Sequence, residues 1–215
     1  NEEMVNILIR VLNGLNINIT EQKNIELELE DREKKIGRAF CLGLRIPQNI
    51  KLVLKPQGGY SDYETLLHET GHAEHFALTN SELAYEVRHL GDYTLTESYA
   101  ALFANLMQNK DWLQTYISMP ENEIDEFRRL MLEIDLYFTR RYIAKLFYEI
   151  KLHSNDLRRL DENFNPTETQ YSNFKECYVD ILTRITGLLH DQDNYLLDVD
   201  DGLYVMEYLR SWLFE

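Results

Sequence analysis

The sequence predicts an α+β fold, mostly α with a small, largely antiparallel β-sheet, on three observations. Apolar residues recur at helical spacing at the N-terminus and through most of the chain after residue 60. Three short segments between residues 25 and 55 carry strand patterning. The pair Gly58-Gly59 separates the two regimes.

The elements follow in order. Val5, Ile7, Leu8, Val11 and Leu12 give residues 2–13 one apolar helix face, with Gly14 placed to end it. Residues 25–30 alternate Ile-Glu-Leu-Glu-Leu-Glu, the period of a strand with one buried and one solvated face. Residues 38–45 and 50–55 are two further strands, and Ile46-Pro47-Gln48-Asn49 between them has turn chemistry. After Gly59, Ser61 and Glu64 spell a capping box that opens a helix over 62–78. Helices are expected over 94–108, 122–153, 168–189 and from 201 onward. With four prolines, nine glycines and no Pro/Gly/Ser-rich linker, residues 1–215 are expected to form a single domain.

Composition narrows the function classes. The 215 residues can bury one sizeable core, and the net charge is −15. That sign repels nucleic acid and anionic membranes, so neither is an expected partner. No apolar run reaches the ~20 residues a bilayer span requires. Two cysteines, Cys41 and Cys177, form no disulfide framework and fit a cytoplasmic location as small core residues. The start, Asn-Glu-Glu-Met, is acidic where an export signal would be basic, so none is expected; because the chain does not start with Met and its last helical pattern has no stop signal, it is expected to be a piece of a longer protein.

The chemistry sits on the helix after Gly59, where His68-Glu69-Thr70-Gly71-His72 spells H-E-x-x-H. Residues four apart on a helix stand nearly above one another, so His68 and His72 can reach one metal ion. Glu69 projects about 100° round from His68, where it can serve as a base without binding the metal. Chance would assemble this pattern about once in a hundred such sequences. Zinc needs a third protein ligand and keeps one position open for catalysis. A third histidine six positions after His72 is ruled out, because that position is Leu78. Glu82, Glu86 and Glu97 remain. Glu82 and Glu86 fall where the chain must still turn. Glu97 lies near the start of the next helix, although Thr94 and Glu97 also spell a capping box.

These residues resemble the thimet oligopeptidase and oligoendopeptidase F family, zinc metallopeptidases of the gluzincin type. The stretch Asp31-Arg-Glu-Lys-Lys-Ile-Gly-Arg-Ala-Phe-Cys41 is similar to the family's D-x-R-x-x-K…G-A-F region. Residues 62–67 are similar to its approach to the motif, and His68 to His72 match H-E-x-G-H with its glycine. Glu97 follows His72 by 25 residues, the family's spacing for its third ligand. The resemblance runs from about residue 25 to residue 110. It implies a zincin-like core, one Zn²⁺ on His68, His72 and Glu97, and hydrolysis of short peptides. It also implies substrate- and oxyanion-contacting tyrosines near the C-terminus, where Tyr204 and Tyr208 stand. The family's histidine just upstream of those tyrosines is absent here, the segment reading Leu196-Leu-Asp-Val-Asp-Asp201. Tyr204 and Tyr208, four apart, can equally pack together in a core. The implied mechanism has Glu69 as general base towards an activated water.

A metal-stabilised peptide-binding module without turnover is the alternative. His75, His89, His153 and His190 are expected to bind no metal. The pairs Arg128-Arg129, Arg140-Arg141 and Arg158-Arg159 are expected to be solvated or to offset the acidic surplus, with one able to hold a peptide carboxylate.

Overall fold

The computed structural model describes residues 2–30, 32, 33, 35, 37 and 39–214. Asp31, Lys34, Ile36 and Arg38, which carry part of the D-x-R-x-x-K…G-A-F resemblance and the predicted start of the second strand, lie outside the described residues. The elements run α1 (Glu2–Gly14), β1 (Ile25–Glu28), β2 (Phe40–Arg45), β3 (Asn49–Val53), α2 (Tyr60–Ala77), α3 (Tyr85–His89) and α4 (Tyr93–Ala104). There follow a 3₁₀ turn (Asn105–Gln108), α5 (Lys110–Trp112) leading into a π turn (Leu113–Ile117), α6 (Glu121–His153), β4 (Arg158–Leu160), β5 (Pro166–Gln170), α7 (Phe174–Thr186) and α8 (Val205–Ser211).

The chain divides into two compact units, Asn1–Arg128 with Phe214–Glu215, and Arg129–Leu213. The boundary falls inside α6, so a helix rather than a linker carries the chain across it, and no composition change marks the place.

In the first unit, β1, β3 and β2 form a three-stranded sheet in that order. Expected to be largely antiparallel, the sheet is in fact mixed. β2 and β3 form the antiparallel hairpin that the Ile46–Asn49 turn predicts, with Cys41 opposite Leu52. β1 lies along the other edge of β3 in parallel register, Leu27 beside Leu52, because the chain crosses over between β1 and β2. The apolar face of α1 packs with Ile50, Leu52, Leu66, Leu113 and Ile124 into the unit's core.

Ser61 does not cap α2. The N-cap position is Gly59, with no side-chain cap, and the Asp62 carboxylate inside the helix reaches back to accept from the backbone N–H groups of Gln57 at 2.9 Å and Gly58 at 2.6 Å. Gly58 and Gly59 have φ of +100° and +91°, a conformation open to glycine, and this bend aims the preceding amides at Asp62.

The second unit has its core around Tyr148, Cys177, Tyr178, Ile181 and Leu182. The expected helix over 168–189 begins only at Phe174. Asn173 caps it by accepting from Glu176 N–H at 3.0 Å, and Gly187, at φ +78°, ends it. Residues 168–170 instead belong to the antiparallel β4–β5 hairpin. No described helix is long and apolar enough to cross a membrane.

Candidate metal centre

α2 and α4 build the site by lying unusually close. A Cβ placed on Gly71 would sit 2.6 Å from Ala100 Cα and also meet the Tyr99 carbonyl, so only glycine permits this approach. The approach brings α4's buried face, Thr96, Glu97 and Ala100, against the face of α2 that carries His68 and His72.

Glu97 Oε2 lies 3.5 Å from His68 Nε2 and 3.6 Å from His72 Nε2. The donor atoms of the three residues all lie within 4.8 Å of one another. Nitrogen and oxygen ligands about 2.0–2.1 Å from a tetrahedral zinc would stand about 3.3 Å apart, so the two imidazole–carboxylate separations are close to a ligand set's. The two rings meet edge to face, their centroids 4.9 Å apart. Burial lowers the His68 imidazole to about 4. Burial, then the neighbouring His68 and His75, lowers His72 to about 3 against a contact with the Thr96 backbone that raises it. Both rings are therefore neutral at pH 7 and offer lone pairs, the state in which imidazole binds a metal. Two neutral bases and a carboxylate are the donor set of a catalytic zinc site, and these residues fit that group.

α4 is capped by Asp92, whose Oδ1 accepts from Thr94 N–H at 2.8 Å. Asp92, not Thr94, is therefore the N-cap residue of α4, and the side chain of Glu97, 2% exposed, belongs to the cluster with His68 and His72. Glu82 and Glu86 are exposed, the first between α2 and α3 and the second on α3, outside the cluster.

Glu69, half-buried on α2, lies near the β2 edge of the sheet. Burial and then the Glu69 charge push the Cys41 thiol up to about 12, so this cysteine is no nucleophile at neutral pH. His75 stacks on Tyr99, centroids 4.8 Å apart, and belongs to no metal-binding group among the described residues.

Tyr204 and Tyr208 belong to the second unit. Their rings lie 5.3 Å apart, and Tyr208 lies 5.3 Å from Tyr142, which stacks on Trp212 at 5.1 Å. Of the arginine pairs, Arg141, Arg158 and Arg159 meet Asp198, Asp156 and Glu176. Arg128 and Arg140 donate to the carbonyls of Gln108 and Ile185.

Sequence reasoning passed over Thr96, whose hydroxyl lies 2.8 Å from His72 Nδ1, and the packing role of Gly71. A hydroxyl residue directly before the candidate third ligand was the available signal for Thr96. Compared with family models, with curated proteins and with solved structures, the chain matches none.

Proposed function

We propose that this chain is a zinc-dependent hydrolase that cleaves peptide bonds in short peptides. The observation that carries the reading is that donor atoms of His68, His72 and Glu97, one from each and brought from two helices, lie within 4.8 Å of one another. A Zn²⁺ held by these three would supply Lewis acidity, polarising a carbonyl and making a water acidic enough to attack at neutral pH.

The rest falls to the chain's own residues. His68 and His72 hold their lone pairs free, and Glu97 brings the negative charge. Glu69, one residue from His68 and about 100° round the helix, is the general base: its carboxylate takes the proton of the attacking water and returns it to the leaving amine. The peptide class rests on the resemblance of H-E-x-G-H and of Glu97's spacing to the oligopeptidase family. Tyr204 and Tyr208 enter on that resemblance alone, as contacts to substrate and oxyanion. A cytoplasmic location is supported by the two cysteines, both free thiols.

The test is a quenched fluorescent peptide library, incubated with and without a chelator. Cleavage should occur, stop with chelator and return with zinc. Glu69→Gln should keep its zinc and lose about a thousandfold in kcat, within the range of general acid–base catalysis. Chelator-insensitive cleavage would overturn the metal mechanism. A fully active Glu69→Gln variant would remove Glu69 from it, and zinc uptake with no cleavage of any peptide would favour the non-catalytic module.

A further inference from the structure

The two imidazoles of the cluster are held in different ways. His68 is the more open, its side chain 28% exposed against 12% for His72. No hydrogen bond to His68 Nδ1 is present among the described residues. His72 Nδ1 has one, to Thr96 Oγ1 at 2.8 Å, and Thr96 is itself only 5% exposed. α4 thus addresses His72 from both sides with consecutive residues: Thr96 at Nδ1 and Glu97, 3.6 Å away, at Nε2.

A neutral imidazole has one proton for its two nitrogens. With the proton on Nδ1, the ring donates to the Thr96 hydroxyl, and a bare lone pair at Nε2 faces the space shared with His68 and Glu97. With the proton on Nε2, the N–H is directed towards the Glu97 carboxylate, 3.6 Å away. The second arrangement occupies the position a cation would take. The bond at the rear nitrogen therefore bears on which ring nitrogen of His72 is left bare.

We propose that Thr96 is a positioning residue, whose hydroxyl accepts the His72 Nδ1–H and so keeps Nε2 bare and aimed at the metal position. This rests on the metal-centre reading above but not on the peptidase reading. Thr96 touches neither substrate nor metal; it acts through His72. An outer partner of this kind is commonly worth about 10- to 100-fold in metal affinity.

The experiment compares the parent with Thr96→Val, which keeps the shape and loses the hydroxyl, and Thr96→Ser, which keeps the hydroxyl. Zinc affinity is measured by competition with a chromophoric chelator, and the tautomer of His72 by ¹⁵N chemical shifts in zinc-free protein. The thermal midpoint of each variant confirms that it is folded. Thr96→Val should bind zinc about 10- to 100-fold more weakly and shift its His72 proton towards Nε2, while Thr96→Ser should match the parent within a few-fold. Parent-like affinity in a folded Thr96→Val, or an affinity for Thr96→Ser as weak as for Thr96→Val, would overturn the proposal. So would a parent His72 protonated on Nε2 in zinc-free protein. A parent that binds no zinc would sink the metal centre, whereas an unchanged tautomer in Thr96→Val would sink the role of Thr96 alone.

Discussion

In the second unit the fully buried Glu149 accepts from the backbone N–H of Asp200 at 3.1 Å, and the acids beside it meet cations of the same chain. Lys145 reaches Asp200 at 2.8 Å, and Arg141 reaches Asp198 at 2.5 Å. In the first unit the equally buried Glu97 faces two imidazoles at 3.5 and 3.6 Å, and burial holds both neutral. The first arrangement brings its own counter-charges. The second gathers a negative charge and two lone pairs around one point, which an external cation would complete. A buried carboxylate is costly without a compensating charge, so the two clusters answer the same physical demand in two ways. One is suited to holding a fold together and the other to binding an ion.

The largest expected effect breaks the first unit's side of this contrast. Gly71→Ala forces α2 and α4 apart, because the new methyl group meets backbone rather than a flexible side chain. It should cost about 3 kcal/mol, as severe overpacking does. It should also carry Thr96 and Glu97 away from His72, so zinc affinity should fall together with the urea midpoint. A Gly71→Ala protein with parental zinc affinity would show that the close approach does not build the site.

The second unit's side is broken by Lys145→Ala, which leaves Asp200 and Asp198 short of a cation. The expected loss is about 2 kcal/mol, below that of a fully buried pair because the Asp200 side chain is 37% exposed. Zinc bound per folded molecule should not change, since every proposed ligand lies in the first unit. Loss of zinc in this variant would contradict the division of labour.

The smallest effect is pH-dependent. Burial raises the carboxyl of Glu149, although the Asp200 N–H and Lys145 oppose it. A carboxyl raised in the fold favours its protonated form there. It therefore contributes stability below the unfolded value of 4.5, and that contribution is lost as pH rises through the folded value. Glu149→Gln, permanently neutral, should gain on the parent in urea midpoint between pH 4 and pH 7. A constant difference across that window would show that the chain's cations fully offset the burial.

The candidate site was more legible than the fold around it, for physical reasons. H-E-x-x-H is a local pattern, because the helix repeat alone brings His68 and His72 onto one face. Glu97 could be proposed because a capped helix must follow α2 and carry a third donor. α6 was legible almost to the residue, since a long apolar period needs no partner to be read. The parallel pairing of β1 with β3 was not legible, because register between distant strands is decided by packing. Residues 168–170 carry Glu-Thr-Gln, which has no apolar alternation to mark an exposed strand. The Ser61 cap was not to be had, because Gly59 is the N-cap of α2, whereas α4 is capped by Asp92, two residues before Thr94; local backbone direction decides which side chain meets the free amides. Thr96 and Gly71 gain their roles only when α4 lies on α2, a tertiary fact.

Metal stoichiometry gives the sharpest test of whether His68, His72 and Glu97 form one metal centre. The protein is loaded with zinc, dialysed and measured by elemental analysis alongside folded Glu97→Gln, which keeps the shape and removes the charge. One zinc per parent chain is expected, and little or none in the variant. A parent without zinc, or a Glu97→Gln protein that keeps a full equivalent, would contradict it.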